Sequence, residues 1–181
     1  LTKHKFTGPT RHPKQPYPMA GNTAEALRRI EENKRTRSKI LDLGGLGLKK
    51  LPKELWDCVW VEELGLGYES YWNETEQEWD RDSGRDFESR NVFSSLPAGI
   101  KNLSGLTHLF LDRTNITDVS PLSGLRNLSS LDLSDTSVQK LAPLSALENL
   151  EYLDLSHAEV DDLTPLCSLH NLRYLDLSGN I

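Results

Sequence analysis

From Leu106 onward the apolar positions of the chain recur with a period of 22 residues. Leu106, Leu128, Leu150 and Leu172 open the register. Leu109, Leu131, Leu153 and Leu175 follow three residues on, and Leu111, Leu133, Leu155 and Leu177 two residues after those. Ile116, Val138 and Val160 share the next apolar column, and Pro121, Pro143 and Pro165 share a later one. Each unit closes on Asn127, Asn149 or Asn171. In Leu-x-x-Leu-x-Leu the fourth and sixth residues point to one face of a short strand, and the fifth points away. One such unit cannot bury its own leucines, whereas stacked units form a continuous core, so the pattern predicts a solenoid. A proline removes an N–H donor and fixes φ, so each Pro-Leu word predicts a turn into a short convex segment rather than a strand interior.

Two earlier, less regular units keep the register, at residues 38–60 and 61–105. The second is broken by a long interruption at 69–91. Both carry a Leu-Pro-x-x-Leu/Ile word, at Leu51, Pro52 and Leu55 and at Leu96, Pro97 and Ile100. Before the repeats, residues 22–37 have the spacing of an amphipathic helix. Asn22 is its expected N-cap, Glu25 stands at the capping-box position, and Glu31 and Arg35 are an i,i+4 pair. Ala24, Leu27 and Ile30 are expected to cover the open end of the first repeat. Residues 1–21 are basic and rich in proline, a composition that does not build a core. The one methionine, Met19, is expected to mark the native start. Residues 172–181 begin a sixth unit without completing it, so about five and a half units are present and the chain is expected to be a fragment of a longer solenoid.

The words ITDVSPLSGLRNL (116–128), VQKLAPLSALENL (138–150) and VDDLTPLCSLHNL (160–172) resemble the leucine-rich-repeat family. They are similar to the 22-residue class found in bacterial internalins and in the leucine-rich regulatory subunit of protein phosphatase 1. The two earlier units resemble the 23-residue class. The helix resembles the N-terminal cap of bacterial cytosolic leucine-rich-repeat proteins, including those with a downstream Roc–COR GTPase unit. The resemblance implies an α/β fold: a right-handed solenoid with short parallel strands on the concave face, turns or 3-10 segments on the convex face and a capping helix. It also implies that Thr114, Thr136 and Asn180 form a polar ladder inside the coil. Ala158 breaks that column, so a local defect or a bound water is expected there.

Composition sharpens the picture. Leucine supplies 32 residues, about half of all apolar positions, which is the repeat seen without its spacing. The net charge of -6 is unevenly spread: residues 1–39 hold ten basic against three acidic residues (+7), and residues 40–181 hold eleven against twenty-four (-13). A strongly acidic repeat region repels phosphate, so nucleic acid is not the expected partner. No apolar run is long enough to span a membrane, and no secretory signal is visible. Cys58 and Cys167 are too few for a disulfide framework and are expected to be buried thiols in a reducing, cytoplasmic compartment.

Catalytic and cofactor-binding motifs are missing: there is no phosphate loop, no zinc-ligand pair and no nucleophile elbow. No metal, cofactor or small-molecule substrate is expected, and the chain reads as non-catalytic. Asn-x-Ser/Thr words at Asn102, Asn115 and Asn127 place core residues in the middle and are repeat grammar. The outward columns of the strands are the candidate binding surface. They bring together His108, Phe110, Tyr152 and Tyr174 with Asp132, Asp154 and Asp176, and Arg113, His157 and Arg173 lie beside them. An exposed carboxylate ladder flanked by tyrosines favours a protein partner with a basic surface. The interruption at 69–91 carries eight acidic residues against three arginines, with Trp72 and Trp79 as further contact candidates. The expected function is protein–protein interaction through the concave face and this insertion. The alternative is a sensing region of a larger bacterial Roc–COR GTPase or of an effector enzyme whose catalytic domain lies elsewhere.

Overall fold

A computed structural model describes residues 21–68, 71–73, 78–80 and 89–180, with 71–73 and 78–80 described by their backbone alone. The tail at 1–20, with Met19, and the terminal Ile181 lie outside the described residues, as do the side chains of Trp72 and Trp79. Six three-residue strands form one parallel sheet: β1 (Ile40–Asp42), β2 (Glu63–Gly65), β5 (His108–Phe110), β6 (Ser130–Asp132), β7 (Tyr152–Asp154) and β8 (Tyr174–Asp176), in that spatial order. Two more, β3 (Tyr71–Asn73) and β4 (Glu78–Asp80), pair antiparallel as a separate hairpin. The sheet register follows the sequence columns: Leu41, Leu64, Leu109, Leu131, Leu153 and Leu175 are successive partners. Short 3-10 segments occupy the opposite side at Lys53–Asp57, Ala98–Asn102, Ser120–Gly124, Ala142–Ala146 and Thr164–Ser168. In the last three, proline stands at the first turn, where its missing N–H leaves no bond unmade. This is the leucine-rich-repeat solenoid that the columns predict.

The core is one cluster running the length of the coil, in which Leu64, Leu109, Leu131 and Leu153 are fully buried. Burying a leucine contributes roughly 1.5–3 kcal/mol, so the repeated columns supply most of the driving force. Coils are also stitched together by polar side chains. Asn127, Asn149 and Asn171 each donate from Nδ2 to the carbonyl of Ser104, Arg126 and Glu148 in the preceding coil, at 2.8–2.9 Å. That bond gives the closing asparagine column its cause.

The polar ladder differs from expectation in two places. Thr114 and Thr136 donate only within their own coils, to the Leu111 and Leu133 carbonyls. At the Ala158 coil there is no defect, because Asn180 reaches back from the next one. It donates to the Leu155 and Leu177 carbonyls and accepts from the Val160 N–H. Asn91 does the same at the other end: it donates to the Leu43 and Leu66 carbonyls and accepts from the Leu48 N–H, serving a coil whose own ladder position is Leu46. Asn91 is therefore a repeat residue, and the extra sequence is 69–90 rather than 69–91. Removing those 22 residues leaves a unit that reads Val-x-x-Leu-x-Leu-x-x-Asn-x-Phe, from Val61 to Tyr68 and on to Asn91 and Phe93.

The capping helix α1 spans Thr23–Thr36, with Asn22 accepting from the Glu25 N–H at 3.0 Å. Only half of the capping box forms: the Asn22 N–H donates to the Leu46 carbonyl, and the Glu25 carboxylate turns to Arg28 and Arg29. The face against the first coil is Ala26, Ile30 and Asn33, while Ala24 is exposed and Leu27 half-buried. The expected stripe was one turn-step off because the polar Asn33 belongs to the buried face: it donates to the Ser38 and Ile40 carbonyls and accepts from the Trp60 indole. Arg35 pairs with Glu32, three residues back, and Lys34 takes Glu31, so the expected Glu31–Arg35 pair is not made. Cys58 is buried as expected, but Cys167 is exposed on a convex segment.

Candidate functional site

Alternation along each strand aims the third and fifth positions of a repeat away from the core. Six strands therefore place two parallel columns on the concave side. The third-position column is Ile40, Glu63, His108, Ser130, Tyr152 and Tyr174, and the fifth runs from Asp42 to Asp176. At the β7–β8 end the rings of Tyr152 and Tyr174 stack at 4.4 Å with an interplanar angle of 2°. Tyr174 is 45% exposed, and its hydroxyl lies 3.4 Å from the Asp176 carboxylate. Beside it, Arg173 is exposed and pairs with Glu151 at 3.4 Å.

The aspartate column is not the exposed ladder the sequence suggested. Asp132 and Asp154 are each 1% exposed. Asp132 Oδ1 accepts from both the N–H and the hydroxyl of Ser134, and Asp154 treats Ser156 the same way. Asp42 and Asp176 accept from the N–H of Gly44 and Ser178. The aspartate in the Leu-Asp-Leu word thus folds over to cap the turn that leaves the strand, an Asx turn. Burial, with Asp112 as the nearest like charge and Asp154 beyond, pushes the Asp132 carboxyl up to about 7 against the hydrogen bonds from Ser134.

That turn has its own signature. Gly45, Arg113, Asp135, His157 and Gly179, all at the eighth position, have φ between 52° and 75°. Arg113, Asp135 and His157 accept a left-handed conformation that costs a side-chain-bearing residue about 1–2 kcal/mol. The same geometry lines them up along one rim. Arg113 pairs with Asp135 at 3.2 Å, and a shallow groove of about 500 Å³ opens there, also lined by Arg90, His157 and Glu159. Sequence reading found Arg113 and His157 but not Asp135, whose signal was its place in the same column. Of the other candidates, His108 and Phe110 are half-buried on β5, where His108 Nδ1 lies 3.0 Å from the Thr107 hydroxyl. Trp72 and Trp79 are register partners in the hairpin, a separate sheet from the one that holds Tyr174. No described helix is long and apolar enough to cross a membrane.

Comparison with known proteins agrees with this architecture. The family model described as leucine-rich repeats (two copies) matches residues 104–149, 126–167 and 148–181. None of the curated proteins matches the chain. Among solved structures, internalin C2 of Listeria monocytogenes is 28% identical with a TM-score of 0.58, over 77% of this chain and 51% of that one. A leucine-rich-repeat protein of Leptospira interrogans is 26% identical with a TM-score of 0.59, over 83% of this chain and 40% of that one. The ectodomain of a plant membrane receptor kinase from Arabidopsis thaliana shares the fold at 23% identity and a TM-score of 0.56, over 78% of this chain and 15% of that one. The chain spans about half the length of the first of these and less of the others.

Proposed function

The chain belongs to the leucine-rich-repeat family, and from that premise we propose that it is a non-catalytic module that binds another protein on the concave side of its sheet, at the β7–β8 end. The observation that carries this reading is the tyrosine pair. The stacked rings of Tyr152 and Tyr174 on adjacent strands present apolar area on the concave face with little rotamer freedom left to lose. Tyrosine and arginine are the residue types that dominate protein interfaces, and Tyr174 and Arg173 stand side by side. Asp176 and Glu151 flank them and, with the net charge of -6, support a partner with a basic surface. Trp72 and Trp79, paired across the hairpin, supply a second contact region. The free thiols of Cys58 and Cys167 suit a reducing, cytoplasmic setting.

Capture from native lysate with the intact chain and with an Arg173→Ala/Tyr174→Ala variant tests the surface. The variant is expected to lose the captured protein while its stability stays within about 1 kcal/mol, since both sites are exposed. Retention that weakens as salt is raised supports the basic partner. Equal capture by both chains removes the β7–β8 end as the docking surface.

A further inference from the structure

The outer side of the first coil differs in charge from the rest of the solenoid. After Leu48, Phe93, Ile116, Val138 and Val160 each coil exposes two residues. From the first coil to the fifth these read Lys49-Lys50, Ser94-Ser95, Thr117-Asp118, Gln139-Lys140 and Asp161-Asp162. Lys53 opens the first 3-10 segment, Lys101 lies in the second, and both are exposed. None of Lys49, Lys50, Lys53 and Lys101 makes an ion pair among the described residues. The acidic residues of the first segment are Glu54 and Asp57, and Asp57 is held by Lys34 at 3.1 Å. On these two segments four lysines therefore stand against Glu54 alone.

Apolar surface lies among these lysines. A 3-10 helix has three residues per turn, so Lys53 and Trp56 share one side of their segment. Trp56 is half-buried, with its ring on Gly99 of the second coil, where a Cβ would come within 2.6 Å of it. That glycine lets the indole bridge the two coils. In the second coil Lys101 takes the place of Trp56, each following the buried apolar residue of its segment, Ile100 and Leu55. Val59, two residues beyond the first segment, is 55% exposed.

We propose that the outer side of the first two coils docks on an anionic lipid bilayer, through Lys49, Lys50, Lys53 and Lys101 with Trp56 at the headgroup level. A lysine ammonium is a point charge without the planar fork that reads a single carboxylate, so clustered lysines suit a diffusely charged surface. Tryptophan is favoured at the membrane–water boundary, and lysines without acidic partners attract anionic headgroups. Charge elsewhere sets the orientation. Residues 1–60 hold thirteen basic against six acidic residues, and 61–181 hold eight against twenty-one. Asp161 and Asp162 stand about four strand spacings from the first coil, roughly 19 Å, or about two Debye lengths at 0.1 M salt. At that range they do not cancel the lysine patch, yet they disfavour approach by the other end. This surface is separate from the β7–β8 end, and the inference does not rest on docking there.

Vesicle sedimentation of the full chain tests this, with phosphatidylcholine alone and with phosphatidylcholine and phosphatidylserine in equal parts. Wild type is expected to sediment with the anionic vesicles only, and to be released as salt is raised. Lys49→Gln/Lys50→Gln/Lys53→Gln should weaken that partitioning about 100-fold, at roughly fivefold for each lysine removed. Lys140→Gln, on the fourth coil, is the control and should partition as wild type does. Thermal melts of the three chains are expected to coincide, because the sites are exposed. The basic residues of 1–21 are the same in every chain. Equal partitioning of the triple variant and wild type therefore assigns the binding to other residues and overturns the proposal. Failure of wild type to sediment with the anionic vesicles overturns it too. Retention on immobilised poly-glutamate, lost in the triple variant, would then make the partner an acidic protein.

Discussion

At the scale of single residues, one column explains why a pattern that is plain in sequence can still mislead. Leu-Asp-Leu places aspartate outward, which predicts a solvated side chain. Asp132 instead bends to accept two bonds from Ser134 and is buried between Asp112 and Asp154. Its carboxyl sits near 7, above the ordinary 3.8, so the folded state holds the proton more tightly than the unfolded chain does. The stability that this group contributes is fully present below about pH 4 and is lost as pH rises towards 7. Asp132→Asn should therefore flatten the dependence of Tm on pH between 4 and 7, relative to wild type. A parallel pair of curves across that window is the contrary result. Leucine on the opposite side of the same strand behaves as expected from its column. Leu153→Ala should cost about 2–5 kcal/mol in a denaturant melt, because the fully buried site cannot close around the void. Cysteine was half legible: burial pushes the Cys58 thiol up, whereas Cys167 is exposed. A thiol reagent should label Cys167 in the native protein and reach Cys58 only on unfolding.

At the scale of elements, the repeats were legible because each column has one physical job repeated every 22 residues. Strand leucines, turn prolines and closing asparagines all sit where spacing put them. What spacing could not show was cooperation between coils. Ala158 reads as a missing rung within its own unit, but Asn180 supplies the rung from the next coil, and Asn91 does so for Leu46. Asn91 was hidden because 22 residues separate it from the rest of its unit. Replacing Asn91 with alanine leaves two carbonyls and one N–H of the core without their partner, and should cost at least about 2 kcal/mol. Thr136→Val removes a single bond within one coil and should cost about 1 kcal/mol. Equal losses in the two variants would contradict the division into bridging and local rungs. The helix was placed to within a residue at each end, but its buried face was not. Apolar periodicity cannot anticipate that Asn33 is buried to satisfy two carbonyls of the first coil.

At the scale of the molecule, the concave face is neither uniformly open nor uniformly acidic. Its aspartates cap turns, its middle strands are half-buried or buried, and Tyr152 and Tyr174 stack across β7 and β8. The tyrosines themselves were visible in sequence as a column. Their stacking, and the loss of the aspartates as an exposed ladder, follow from three-dimensional neighbours that no single repeat encodes. Partners are expected to dock at this end. A photo-crosslinking amino acid placed at position 174, and at exposed Ser123 on the convex side as a control, tests it directly in native lysate. The expected result is a covalent adduct to a protein from position 174 and none from position 123. Adducts from position 123 with none from position 174 would place the partner on the other side of the solenoid and contradict the account.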